Sequence, residues 1–197
     1  MANLGIGNID WPNGKVNPSG IVPIAYRIPR ENITSWPTIV DDPAAADITL
    51  AKFVNYLGDF VLVSGKVWET IYSTQGKGKA TFEPVGETDA TMYVNKATLS
   101  FPDLTDSVRG YAKMAANGDF VYIVPTPNGR YHVIGNKDYR VKSTLSGDTG
   151  DAAGSAKGVT INLECPDVTP LPLYKGDLVT AAGSLDTETG VFTPVVG

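Results

Sequence analysis

The pattern of apolar and polar positions predicts short β-strands along almost the whole chain. The alternation is most regular from residue 159 to 165, where Val159, Ile161, Leu163 and Cys165 point to one side and polar residues to the other. Further strands are predicted at 21–28, 60–63, 67–74, 79–85, 91–101, 120–124, 131–134, 139–144, 168–174 and 178–193. The chain is therefore predicted to be mainly β, a β-sandwich or barrel.

One helix is predicted, from Asp103 to about Gly118, lying against this β-structure. Asp103 is the expected N-cap, with Asp106 three residues later, and Asn117-Gly118 is the expected left-handed exit. Gly110 inside the helix costs about 1 kcal/mol relative to alanine, which predicts a close backbone neighbour there. Apolar residues at helical spacing predict the buried face, namely Leu104, Val108, Tyr111, Ala112 and Ala115.

Turn residues organise the strands into hairpins and suggest where the edges lie. Strand 67–74 is predicted to pair with strand 79–85 through Gln75–Gly78, and strand 120–124 with strand 131–134 through Pro127–Gly129. Pro23 places the first strand at an edge or bulge. Residues 146–158 are small and polar and are predicted to form a mobile loop. The domain prediction is an arm at 1–20, a β-domain at 21–176 and a hairpin or arm at 177–197.

Composition narrows the classes of function. The 197 residues include 21 acidic and 16 basic side chains, a net charge of −5, which argues against a protein built to grip nucleic-acid phosphates. No apolar run is long enough for a membrane span, and the first residues do not resemble a signal peptide. The single cysteine, Cys165, excludes an internal disulfide and fits assembly in a reducing cytoplasm.

The sequence contains few candidate catalytic or metal-binding residues, and the chain is predicted not to be an enzyme and to need no cofactor or metal. His132, the only histidine, lies within a predicted strand, and Cys165 belongs to an inward-facing series. The glycine-rich residues 150–158 lack the Gly-Lys-Ser/Thr of a phosphate-binding loop. Two groups of aspartates, Asp148 with Asp151 and the three between 41 and 47, do not follow the EF-hand spacing.

The exposed segments are instead suited to self-assembly. Arms, loops and strand edges can become ordered against copies of the same chain, and head-to-tail contacts between identical subunits can close into rings. Two segments are the candidate contacts between subunits or between rings. Their residues are Gln75, Gly76, Lys77, Gly78 and Lys79 in the first, and Gly147, Asp148, Thr149, Gly150 and Asp151 in the second.

Several blocks resemble tail-tube (major tail) proteins of long-tailed bacteriophages. They are Tyr131–Tyr139, Ser146–Gly150, Gly158–Glu164 and Thr169–Gly176, together with Pro23–Pro29 and Trp36-Pro37. The resemblance covers about Gly20 to Gly176. It implies a β-sandwich with one flanking helix that assembles as hexameric rings, which stack into a hollow tube for the genome. It also implies that arms and loops bridge subunits, and that the lumen is acidic, so that DNA passes without specific binding.

The implied partners are other copies of the chain and other tail proteins, with no membrane. The implied location is the virion tail, after synthesis in the host bacterial cytoplasm. Three alternatives stay open. The chain could be another virion protein, such as a tail terminator, a neck protein or a capsid-decoration protein. It could be a monomeric carbohydrate- or surface-binding module that uses aromatic stacking, or a small hydrolase that uses Cys165 or His132. The stacking candidates are Trp36, Trp68, Tyr72 and Tyr93.

Overall fold

A computed structural model describes residues 8–195, so the first seven residues of the predicted arm and the last two residues of the chain lie outside it. Its single α-helix, α1, spans Asp106–Ala115, and short 3-10 helices span Arg30–Asn32 and Lys52–Val54. The strands are β1 (Ile24–Pro29), β2 (Ile33–Ser35), β3 (Val61–Leu62), β4 (Glu69–Tyr72), β5 (Lys79–Val85), β6 (Met92–Phe101), β7 (Phe120–Thr126), β8 (Arg130–Ile134), β9 (Lys142–Asp148), β10 (Gly158–Asp167), β11 (Leu173–Tyr174), β12 (Asp177–Thr180), β13 (Gly183–Asp186) and β14 (Phe192–Pro194).

Two antiparallel sheets form the sandwich, and this confirms the prediction of a mainly β fold with one helix. The five-stranded sheet has the order β11-β8-β7-β1-β4, and the four-stranded sheet has the order β5-β6-β10-β9. The inward series of β10 is buried as predicted and joins the first core cluster. That cluster also contains Ala25, Leu99, Tyr122, Val124 and Ile134 from strands of both sheets.

A second core cluster covers the other face of the five-stranded sheet. Its central residue is Trp68, which is 2% exposed and packs edge-on against Phe60 with ring centroids 5.4 Å apart. The small sheet β12-β13-β14 contributes Leu178 to this cluster. Strand β7 therefore lies between two cores, which explains why Phe120–Val124 is apolar at every position, as expected for a strand buried on both faces.

Helix α1 is shorter than predicted. Thr105, not Asp103, is the N-cap, because its hydroxyl accepts the Val108 N–H at 3.3 Å, while Asp103 accepts the N–H of Leu104. The apolar stripe packs on the first cluster as predicted. The left-handed exit is absent, since the C-cap is Ala116 in the right-handed region. No helix within residues 8–195 has the length and apolarity needed to cross a membrane.

Two glycines of this region behave differently from each other. The prediction of a close neighbour at Gly110 is wrong, because a Cβ there would meet nothing within 4 Å. Gly118 is the residue with a close neighbour, since a Cβ would lie 2.3 Å from the Phe120 ring. Glycine is therefore required at position 118, between the helix and β7, because a side chain would collide with the Phe120 ring. Its backbone conformation does not require glycine.

The predicted hairpin between 67–74 and 79–85 is wrong. Strand β4 pairs with β1 in the five-stranded sheet, and β5 pairs with β6 in the four-stranded sheet. The prediction of an edge position for the first strand is also wrong, because β1 lies between β4 and β7, with Pro23 just before it. The hairpin of β7 and β8 is confirmed, with Gly129 at a φ of 73°.

Two later segments are more regular than the sequence indicates. Strand β9 begins at Lys142 and continues to Asp148, so residues 146–148 and Gly158 belong to a β9–β10 ladder and not to a loop. The loop that remains is 149–157. The region 178–193, predicted as one hairpin, contains three strands, since a tight turn joins β12 to β13 and a second turn leads from β13 to β14.

Candidate assembly surfaces

The outer face of the four-stranded sheet is mainly polar, with Val85, Met92 and Val94 at one end, and it is uncovered within the described chain. The strand registers place Lys96, Thr98, Asn162 and Glu164 on this face, and none of its outward residues is buried. Thr98 Oγ1 donates to Asn162 Oδ1 at 3.1 Å, and Lys96 pairs with Glu83 at 2.8 Å. Its charged residues balance, with three lysines against three acidic residues: Lys79, Lys96, Lys142, Glu83, Glu164 and Asp148.

Both edges of this sheet are open in the part of the chain that the structure describes. Strands β5 and β9 are the two edge strands, and each contains seven residues. Pro84 lacks an N–H, so the pairing surface of β5 runs mainly from Lys79 to Glu83. The edges of the five-stranded sheet are shorter, with four residues in β4 and two in β11. Long open edges are the features through which sheets add further strands.

The first candidate contact segment, Gln75–Lys79, connects the two sheets and is not a hairpin tip. Residues 75–77 and Lys79 are exposed, and Lys77 N donates to Thr74 O at 3.1 Å to close a turn. Gly78 packs on the core side, since a Cβ would lie 2.2 Å from the Ile21 side chain. The segment therefore exposes Lys77 and Lys79, while Gly78 between them packs against the body of the chain.

The second candidate segment, Gly147–Asp151, includes the end of β9 and the start of the 149–157 loop. Asp148 Oδ1 accepts the Gly150 N–H at 2.9 Å, and Ser155 Oγ donates to Asp151 Oδ1 at 2.6 Å. The Ser155 hydroxyl is the main reason why the pKa of Asp151 lies below its usual range. The loop thus has internal structure that the glycine-rich sequence did not indicate.

The two candidate segments lie at one end of the four-stranded sheet, but at its opposite edges. Lys79 begins β5 and Asp148 ends β9, and the strand registers place both positions near the end that contains Phe101 and Gly158. Three strand spacings of about 4.8 Å separate the edges, roughly 14 Å in all. One edge carries Lys77 and Lys79 and the other carries Asp148 and Asp151, so the charges are of opposite sign.

The far end of the same sheet contains a groove that sequence reasoning missed. It has a volume of about 420 Å³ and is lined by Asp41, Phe53, Val54, Tyr93, Val168, Thr169 and Pro170. We call it the terminal groove. Its walls come from the 41–54 connector, the start of β6 and the segment after β10, which are distant in sequence. No local pattern could have indicated that they meet.

The carboxylate of Asp167 is buried, and Asp167 immediately precedes in the sequence the groove residues Val168, Thr169 and Pro170. Asp167 is 4% exposed; its Oδ1 accepts the Thr169 N–H at 3.0 Å, while its Oδ2 has no hydrogen-bond partner among the described residues. Burial raises the pKa of Asp167, and the charge of Asp41 acts in the same direction. The neutral form is therefore favoured in the folded chain relative to the unfolded chain.

We expect Asp167→Asn to raise the melting temperature at pH 7. The substitution removes the buried charge and keeps the Oδ1 acceptor for Thr169. Because the folded-state pKa is raised, the wild-type chain gains stability relative to the variant as the pH falls toward that pKa, and the difference between the two should shrink. Thermal unfolding of both chains from pH 7 to pH 4 measures this. A difference that is constant across that range would contradict the burial argument.

Cys165 and His132 interact with different backbone carbonyl groups and form no hydrogen bond with each other. Cys165 is fully buried, and its thiol donates to the Pro166 carbonyl oxygen at 3.4 Å. Burial, with the nearby charge of Asp167, raises the pKa of this thiol to about 12. His132 Nδ1 lies 3.4 Å from the Leu171 carbonyl oxygen, and burial lowers the pKa of His132.

The four stacking candidates do not form one platform. Trp68 lies in the core, and Trp36 packs edge-on against Phe60 with ring centroids 5.3 Å apart. Tyr72 is 48% exposed on the edge strand β4, whereas Tyr93 lines the terminal groove. Residues 8–195 contain no group of three or more histidine, cysteine or acidic side chains placed to hold a metal ion.

Comparisons of the chain with family models, curated proteins and solved structures found no match.

Proposed function

We propose that the chain is a structural subunit that assembles with copies of itself into stacked rings, as the tail tube of a long-tailed bacteriophage does. The observation that carries the proposal is the four-stranded sheet, which has an open, seven-residue strand at each edge and an uncovered polar face. No comparable observation supports a catalytic role. The two side chains considered for one, Cys165 and His132, are each directed at a backbone carbonyl group.

The directions of the strands suit a closed ring. All three pairings in this sheet are antiparallel, so β5 and β9 run in opposite directions. Rotating a copy about an axis along the strands keeps their directions, and β9 of one subunit then meets β5 of the next in antiparallel orientation. Repetition around the axis gives one continuous barrel without free edges. The same arrangement brings Asp148 and Asp151 to the end of the β9–β5 ladder where Lys77 and Lys79 of the neighbour lie, so opposite charges meet at one end of the ladder.

The proposal places the polar outer face toward the channel. Hydroxyl and amide side chains keep such a surface hydrated, and its three lysines are balanced by three acidic residues, with Lys96 and Glu83 paired at 2.8 Å. Few unpaired cations remain to hold phosphates, so a duplex can slide past. The acidic lining that the resemblance implies is not carried by this face. The other implied partners, further tail proteins at the ends of the tube, and the location in the virion tail belong to the same proposal.

The test is assembly of the purified chain, followed by sedimentation velocity and negative-stain microscopy over a range of concentrations. Rings and stacked tubes are expected. Proline substitutions on β9 should then block ring closure. Successive N–H groups of a strand point alternately to the two sides. One of the two substitutions Thr144→Pro and Leu145→Pro therefore removes an N–H group that points to the open edge, and leaves the hydrogen bonds to β10 intact. That variant should stay folded and fail to form rings.

Three further variants make this test independent of any one site. Thr81→Pro and Phe82→Pro form the corresponding pair on β5, and Thr144→Ala controls for loss of the side chain alone. A parent chain that stays monomeric at every concentration would refute the proposal. Rings formed by a fully folded proline variant on each edge would refute the pairing of β5 with β9.

A further inference from the structure

A second cavity adjoins the terminal groove and differs from it in charge. It has a volume of about 180 Å³, and its wall contains three aspartates and one lysine: Asp41, Asp138, Asp167 and Lys137. Asp41, Val168 and Thr169 also line the terminal groove, so the two cavities share part of their walls. We call the second cavity the acidic pocket.

The aspartates of the acidic pocket form no ion pair within the described residues. None of the ion pairs found between residues 8 and 195 includes Asp41, Asp138 or Asp167. All three act on one buried phenol, since burial raises the pKa of Tyr56 and the charges of these aspartates act in the same direction. The pocket is therefore a region of negative potential, which attracts a cation.

Asp167 supplies the observation that points to a ligand. It is buried in the wall of the pocket, and its Oδ2 has no hydrogen-bond partner among the described residues. A buried carboxylate oxygen without a donor is unfavourable, and a ligand that brings a charged N–H group removes that cost. Because the described chain places no group of three or more acidic side chains to share a metal ion, an organic cation suits this pocket better than a metal ion does.

The wall beside Asp167 is held by hydrogen bonds within the chain. Arg30 donates to the carbonyl oxygens of Lys137 and Tyr139 at 2.9 and 2.8 Å. The side-chain oxygen of Asn136 accepts the N–H groups of Asp138 and Tyr139 at 3.0 and 2.8 Å. A wall that is already fixed loses little conformational freedom when a ligand binds, so less of the interaction energy is lost to ordering.

Aromatic and apolar side chains complete the site. Trp36, Tyr56 and Tyr139 belong to the wall of the acidic pocket, and the face of an aromatic ring attracts an ammonium group. On the other side of the shared wall, the terminal groove has a volume of about 420 Å³ and contains the rings of Phe53 and Tyr93. A ligand with an ammonium group at one end and an apolar body at the other end matches both cavities.

We infer that the acidic pocket and the terminal groove form one binding site for a small primary amine with an apolar tail. The ammonium group lies among the three aspartates and donates to Asp167, and the tail lies in the terminal groove against Phe53 and Tyr93. All the groups of this site belong to one chain, so the inference goes beyond the proposed self-assembly and does not depend on it.

Three small compounds test the inference. Phenethylamine is the probe, and ligand-detected NMR with the full chain measures its dissociation constant whether or not the chain assembles. Phenylpropionate carries the same ring with a carboxylate in place of the ammonium group, and should bind at least about tenfold more weakly. Methylamine lacks the ring and should also bind at least about tenfold more weakly, because it buries little apolar surface. No binding of phenethylamine at millimolar concentration, or equal binding of phenylpropionate, would overturn the inference. Equal affinity for methylamine would overturn the placement of the tail.

Two substitutions that each remove one negative charge locate the site. Asp167→Asn should weaken the binding of phenethylamine at least about tenfold, as expected for loss of a hydrogen bond between charged groups. Asp42→Asn is the matched control, because Asp42 is exposed beside Asp41 and lines neither cavity. It should change the dissociation constant by less than about twofold, since an exposed charge is screened by salt. Equal weakening in the two variants would show that phenethylamine responds only to the overall charge, and this too would overturn the inference.

Discussion

Replacing Trp68 by alanine is expected to lower the free energy of unfolding by about 3–5 kcal/mol, the range found for large aromatic residues in a core. Trp68 is 2% exposed and lies in the second core cluster with Phe60 and Tyr174. Its backbone N–H also donates to the Val179 carbonyl oxygen at 2.8 Å, which joins the C-terminal sheet to the rest. Urea denaturation at a concentration where the chain is monomeric measures the loss.

Trp11→Ala is the matched control, because it removes the same side chain from a position that is 59% exposed. Its unfolding midpoint in urea should equal that of the parent. An equal loss in both variants would mean that the second cluster does not stabilise the fold in the way its packing indicates. Near-ultraviolet circular dichroism should change strongly for Trp68→Ala and little for Trp11→Ala.

The second large effect is expected for Gly158→Ala, at the start of β10. Gly158 has a φ of 143°, and a Cβ there would lie 2.2 Å from the Phe101 carbonyl oxygen. Alanine must therefore adopt an unfavourable backbone conformation and also push two paired strands apart. Backbone strain and overpacking each cost about 1–3 kcal/mol, so we expect a loss of roughly 2–6 kcal/mol.

Gly154→Ala separates these two contributions. Gly154 has a φ of 92°, but nothing lies within 4 Å of its Cβ position, so alanine there is strained without being crowded. Its loss in urea denaturation should be about 1–3 kcal/mol, smaller than that of Gly158→Ala. Because Gly158 pairs with Asp148 of the edge strand β9, its substitution should also weaken the proposed ring formation. Equal losses would show that crowding against Phe101 is relieved by a small shift.

Local sequence patterns predicted the elements of this fold better than their partners. The alternation in β10 predicted its buried face correctly, because one side of that strand meets a core and the other meets solvent. The apolar stripe of α1 was correct for the same reason. The hairpin between β4 and β5 was wrong because the turn at Gln75–Gly78 indicates only that the chain bends. It does not indicate which strand lies alongside, and β4 pairs with β1 from an earlier part of the chain.

The helix boundary was misplaced through competition between two capping residues. Asp103 and Thr105 are both good N-caps, and the sequence pattern favoured Asp103 because an acidic residue follows three positions later. In the structure Lys157 pairs with Asp103 at 3.2 Å, a contact that spans 54 positions and that no local window contains. Thr105 is left to cap the helix.

For the candidate surfaces too, the sequence indicated the segments but not how they lie relative to one another. The segments at 75–79 and 147–151 could be selected from the sequence because they are polar and rich in glycine. Their placement at one end of a sheet, on opposite edges and with opposite charges, depends on long-range pairing. The terminal groove was missed because Asp41, Tyr93 and Val168 meet only after β6 and β10 have paired. The carboxylate of Asp167 gave no signal, since burial cannot be inferred from an isolated aspartate.

The position of β1 between β4 and β7 has a consequence for synthesis on the ribosome. Tyr26 pairs with Thr70 on one side and with Ile123 on the other, so the strand has no complete set of neighbours until about two thirds of the chain has emerged. Folding that depends on such distant pairing is slow compared with that of helical proteins. The nascent chain must therefore remain incompletely folded through most of translation. The yield of folded chain should then depend on the rate of translation as well as on the stability of the finished fold.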